Sequence, residues 1–189
     1  MKRISAMIMV LASVWPLTAA AECWAPLAAE SRLSFQGSQA GAPVRARFER
    51  FDARFCLDSA GETGSVSVTV HTDSVASALP ELTQELEGEL FFHADKWPTA
   101  TFESEAIERM DENRYIAGGE LRIRDVSRAM KVPFTFTQLQ EGNSARANGE
   151  ITFKRLDFNV GLGEWRNTEW VGNEVTVTFD VALRRHGAD

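Results

Sequence analysis

At 189 residues, 44% of them apolar, the chain has the length and composition of one domain with a sizeable core. Its net charge of −7 argues against nucleic acid as a partner and against docking on anionic lipid head groups. The only cysteines are the two at Cys23 and Cys56.

The first residues point to export. Lys2 and Arg3 give a basic start, the stretch from Ile4 to Leu17 is apolar but for Ser5, Ser13 and Pro16, and Ala19-Ala20-Ala21 offers small residues for cleavage. This is the pattern of a secretory signal peptide over residues 1–21. The apolar run is shorter than the ~20 residues of a membrane span, and nothing later in the chain is a candidate for one. Cleavage would remove two positive charges, taking the net charge from −7 to −9, and leave residues 22–189 as one exported domain, expected in a bacterial periplasm. An oxidising compartment favours a Cys23–Cys56 disulfide, worth about 3–4 kcal/mol on the chain-entropy account. Two free thiols are the alternative. Glu22 stands where a lipid-anchored cysteine needs a small neighbour, which argues against an anchor at Cys23.

From Trp24 onward the pattern is mostly period two. Arg32-Leu33-Ser34-Phe35 reads as a first strand, ended by the Gly37–Gly41 turn. Val44, Ala46 and Phe48 alternate with Arg45, Arg47 and Glu49; at Arg50 the phase slips by one, and Phe51, Ala53 and Phe55 resume it. Such a slip suggests a β-bulge at a bend. Val66, Val68 and Val70 form the next strand. The period then changes: Leu79, Leu82, Leu86 and Leu90 have helical spacing, with Pro80 in the first turn and Pro98 beyond the end, so a helix is expected over about residues 79–92. It delivers Phe91 and Phe92 to a sharp turn at Lys96-Trp97-Pro98. Strand alternation returns from Ala100 to Ser104 and from Tyr115 to Ile123, and a turn at Arg124–Arg128 leads to Met130, Val132, Phe134 and Phe136. Two further strands, through Ile151 and Phe153 and through Val177 and Phe179, finish the chain.

About eight antiparallel strands with one polar face can close into a barrel with room for side chains or one ligand; a β-sandwich fits the same alternation. No arrangement of residues suggests catalysis. His71, His93 and His186 lie far apart with no second ligand at metal spacing, and Glu103 and Glu105 read as solvent-facing. There is no G-x-S-x-G and no phosphate-cradling glycine motif before a helix. Apolar mass stands out instead: 12 Phe and 5 Trp against 1 Tyr. Most of these rings belong to a core, and a lined cavity is the second reading.

From Trp24 to Arg185 the chain resembles the YceI-like family. The residues that carry the resemblance are Trp24, Ser31, Leu33 and Phe35, then Val44, Phe48 and Phe51-Asp52, then Phe91-Phe92 through Trp97-Pro98-Thr99-Ala100-Thr101-Phe102-Glu103-Ser104. Gly119 to Ile123, Lys154 to Phe158, Gly163-Glu164-Trp165 and Val171 to Val175 complete it. Leu27, Glu30, Ala46, His93 and Asn159 depart from what is frequent in the family, all around strand ends and the barrel mouth.

The resemblance implies an all-β fold, an extended eight-stranded antiparallel lipocalin-like barrel with one short helix. It implies a non-enzymatic periplasmic protein that holds a long isoprenoid lipid, polyprenyl or quinone-like, for transport or storage. A surface-acting redox-partner or stress protein without a tightly bound lipid is the alternative. No cofactor is expected beyond such a ligand; the other expected partners are a membrane redox protein met transiently and a second copy in a homodimer. The shared alternation phase turns Phe35, Phe48, Val68, Phe102, Leu121, Phe136, Phe153, Val177 and Phe179 toward the ligand. Phe91 and Phe92 should border the mouth and Phe158 and Trp165 lie near one end, while Arg155 or Lys154 reaches the lipid head group.

Overall fold

The structure, a computed structural model, describes residues 21–58, 60–139 and 142–186. The expected signal segment therefore lies, from residue 1 to 20, outside the described residues. The strands are β1 (Glu22–Pro26), β2 (Arg32–Gln39), β3 (Ala42–Phe48), β4 (Phe51–Leu57), β5 (Gly64–His71), β6 (Val75–Ser77), β7 (Thr99–Arg109), β8 (Arg114–Ile123), β9 (Val126–Gln138), β10 (Ser144–Lys154) and β11 (Glu174–Arg185). One helix, α1 (Pro80–Glu87), lies between β6 and β7.

Every pairing is antiparallel, and the sheet closes because β11 pairs both β10 and β1, with β1–β4–β5–β7–β8–β9–β10 completing the ring. The segments β2, β3 and β6 prolong β1, β4 and β5 past three bends: a 3-10 turn at Ala28–Glu30, the pair Glu49-Arg50, and a 3-10 turn at Thr72–Ser74. Counting each bent pair as one strand gives the eight-stranded barrel. Closure removes the exposed edges that an open sheet of this kind would present.

The slip at Arg50 is a two-residue break, not a bulge. The Ser74 side chain fills the gap: its Oγ accepts from the Arg50 N–H (3.0 Å) and donates to His71 O (2.6 Å), while the Glu49 N–H donates to Ser74 O (3.0 Å). The break restores the phase, so Phe48 and Phe51 both face the interior. A bulge does occur, in β7 between Glu103 and Ala106. The chain there comes so close that a Cβ at Gly119 would stand 2.3 Å from Glu103 O, which is why β8 carries glycine at that point.

The disulfide is present. Cys23 and Cys56 are direct cross-strand partners on β1 and β4, 33 residues apart in sequence. It fastens the first strand to the barrel.

The helix is shorter than its leucine spacing suggests. Pro80 opens it, and Gly88, in an extended conformation, ends it. The following residues form irregular turns in which Phe91 N–H donates to Gly88 O (3.1 Å) and Phe92 N–H to Leu86 O (2.9 Å). Leu86 is buried, and Leu82 and Leu90 pack on the same cluster from the helix and the turn beyond it. Replacing Leu86 with Ala is expected to destabilise the protein by ~2–5 kcal/mol in chemical denaturation. An unchanged midpoint would mean that the helix does not seal the barrel end.

Two apolar clusters result. Trp24, Phe55, Ile107, Tyr115, Phe134 and Phe136 fill the end near the disulfide, and Ala46, Val75, Leu86, Phe91, Phe92 and Phe158 fill the end under α1. The candidate site lies between them.

Candidate functional site

A cavity of about 540 Å³ runs between the two clusters. Its floor is Phe55, Phe134 and Leu183, which are buried. Beneath the floor the Trp24, Ile107, Tyr115 and Phe136 side chains close the barrel, so the tube is blind at that end. The wall follows from the pleat: Phe35, Phe48, Val68, Phe102, Leu121, Phe153, Val177 and Phe179 all line it, as the alternation phase requires. Most of them are only half-buried, because one side of each faces open space in the tube.

At the other end Phe35, Phe48 and Phe92 form a triangle of rings with centroids 5.5–5.9 Å apart. Phe91 packs 5.7 Å from Trp165, and the Trp165 indole N–H donates to Glu85 Oε1 of α1 (2.8 Å). This contact ties the helix to the 3-10 turn Gly163–Arg166 across the cavity wall. Leu82, Glu81 and Glu85 of α1 share that part of the wall with Ser38, Gln39, Val171 and Gly172.

One residue expected on the wall is elsewhere: Phe136 sits below the floor, 4.7 Å from Phe55 and 5.6 Å from Trp24. Phe158, expected near one end, is in the cluster under α1, fully buried behind Phe153 at 5.2 Å and not itself on the wall. Period two fixes which side of a strand faces inward, but not how deep the open tube extends along it. Lys154 is exposed on the outer face opposite Glu174. Alternation alone would also have supplied Phe51, Val66, Val70, Ile151 and Val175, which line the tube and were missed.

Arg155 borders the cavity but is not free to meet a ligand. It is 3% exposed, and its five N–H groups go to five backbone carbonyls: Nε to Gly172, Nη1 to Val160 and Gly161, and Nη2 to Trp165 and Val171, at 2.6–2.9 Å. Gly161 has φ +78°, and a Cβ there would lie 2.1 Å from Arg155 Nη1, so the loop needs glycine to wrap the guanidinium. Arg155 thus organises the loop from Leu156 to Asn173. The head-group role expected from its place after Phe153 does not fit this geometry.

Arg124 does a similar task nearby. Its Nη1 donates to Phe91 O and Asn159 O, both at 2.7 Å, and its guanidinium lies 4.5 Å over the Trp97 ring. Burial draws both guanidinium pKa values down; Asp125 and Glu89 partly oppose this at Arg124. No group of three or more His, Cys, Asp or Glu side chains able to hold a metal occurs among the described residues.

Residues 24–183 match the family model of the YceI-like domain. The UPF0312 proteins of Ectopseudomonas mendocina and Shewanella oneidensis are each 30% identical to this chain, over 120 and 124 residues. These alignments cover 60% and 63% of this chain and 62% and 65% of those proteins, so the chain spans somewhat under two thirds of the curated relatives it matches. Among solved structures, Burkholderia cenocepacia BcnA is 31% identical with a TM-score of 0.78, over 83% of this chain and 98% of BcnA. A polyisoprenoid binding domain from Saccharophagus degradans is 15% identical with a TM-score of 0.70, over 86% and 98%. At that identity the likeness shows the fold alone. With the family match running from the first barrel strand into the last, the chain belongs to the YceI-like family.

Proposed function

We propose that this protein binds one long apolar isoprenoid lipid, polyprenyl or quinone-like, inside the barrel and carries or stores it in the periplasm. One observation supports this most: a tube inside the barrel, blind at one end, whose wall is almost wholly aliphatic and aromatic. Burial contributes ~0.8 kcal/mol per methylene-sized group, so each prenyl unit of a tail would gain up to about 4 kcal/mol, less the cost of ordering it. Specificity for a tail needs only such a wall, while a few polar groups at the mouth orient the head. The Saccharophagus domain of the same fold is a polyisoprenoid binder, which agrees with this reading. The basic-then-apolar start of the sequence and the disulfide support a periplasmic location.

Gel filtration of delipidated protein with geranylgeraniol tests the proposal. The prenol is expected to elute with the protein at close to one molecule per barrel. A barrel that acts through its surface alone would leave the prenol behind, and that result would overturn the proposal.

A further inference from the structure

We propose that the cavity selects a head group that donates hydrogen bonds, such as an alcohol, a quinol or an amine, and discriminates against phosphorylated prenyl lipids. This deepens the lipid-binding reading above and rests on it.

The charges on the cavity wall decide the matter. Among the residues that line it, the charged ones are Glu81, Glu85 and Arg155. The single cation is saturated. A guanidinium has five N–H donors, and all five of Arg155 are engaged by main-chain carbonyls, leaving none for a phosphate. Other cations nearby are also unsuited. Lys154 and Arg166 are exposed and do not line the cavity, and Arg124 lies off the wall with Nη1 bonded to the Phe91 and Asn159 carbonyls.

The two carboxylates stand one helical turn apart on α1, and both face the cavity. Glu85 is held there by the Trp165 indole N–H, whose ring in turn packs on Phe91. A carboxylate only accepts, so a ligand group placed against Glu85 and Glu81 must donate. A hydroxyl or ammonium does so. A phosphate brings ~1.5–2 negative charges and acceptor oxygens, and would face the two carboxylates with no free cationic donor on the wall to pair with it. The remaining polar groups on the wall, at Ser38, Gln39 and Thr101, are neutral and do not reverse this preference.

The test uses three ligands with one tail: geranylgeraniol, geranylgeranylamine and geranylgeranyl phosphate, each titrated into delipidated protein. The phosphate is expected to bind at least about ten-fold more weakly than the alcohol, with the amine no weaker than the alcohol. In E81Q and in E81Q/E85Q the alcohol-to-phosphate ratio should fall stepwise toward one. Glutamine keeps an oxygen acceptor for the Trp165 indole, so the helix contact survives while the charge is lost. E81Q, at an exposed helix position, tests the charge without touching that contact. A phosphate that binds the parent protein as well as the alcohol overturns the proposal, and so does a ratio unmoved by removing both charges. If none of the three ligands binds, the lipid-binding reading itself fails, a result distinct from either.

Discussion

Arg155→Ala is expected to lower the stability of the protein by more than about 4 kcal/mol. Five carbonyls, of Val160, Gly161, Trp165, Val171 and Gly172, would lose their donor together. Each buried acceptor left unpaired costs about 1–3 kcal/mol, and only those that water can reach recover part of it. Arg155→Lys should rescue little, because an ammonium offers three donors from a point and cannot span the fork of carbonyls that a planar guanidinium fills. Chemical denaturation of the two variants checks this. An alanine variant with unchanged stability would contradict it and would return Arg155 to a ligand-facing role.

The second large effect concerns the tube. Leu121→Trp should abolish retention of a prenol while leaving the fold intact. Leu121 is a half-buried wall residue opposite Phe102, and the added ring has open space to enter. The ring would then occupy the volume that a tail needs. Phe136→Trp should behave in the opposite way. Phe136 lies below the floor among Trp24, Phe55 and Tyr115, so a larger ring there overpacks a filled site and costs ~1–3 kcal/mol while lipid retention persists. Gel-filtration retention and a thermal melt, run on both variants, separate the two outcomes. If Phe136→Trp blocked retention and Leu121→Trp did not, the tail would run through the end near the disulfide instead.

The contrast between those two residues also marks how far the sequence is readable. Both occupy inward phases of their strands, and alternation reads that correctly for Phe35, Val68, Phe102 and Val177 as well. A strand's pleat is a local property, so period two reports it. Where along the barrel the side chains stop meeting one another depends on neighbours far apart in sequence, and Phe136 is placed by Trp24 and Phe55. The helix was legible from its leucines but not its end, since Leu90 keeps the spacing while Gly88 has already broken the hydrogen-bond ladder. The Arg50 break showed as a lost phase; that Ser74 would fill it did not, because the contact spans 24 residues. Arg155 was least legible. Nothing in Lys154-Arg155-Leu156-Asp157-Phe158 announces that one of its two cations turns inward to hold five carbonyls, three of them ten or more residues away.

Whether the tube holds an isoprenoid tail is decided by organic extraction of the protein purified from its native compartment, followed by mass spectrometry. The expected result is one predominant lipid with a prenyl tail, approaching one molecule per barrel, absent from the Leu121→Trp protein and carrying a hydroxyl, quinol or amine head. Extracts that contain no lipid above the level of the Leu121→Trp protein, or only phospholipid in proportion to contaminating membrane, would contradict it.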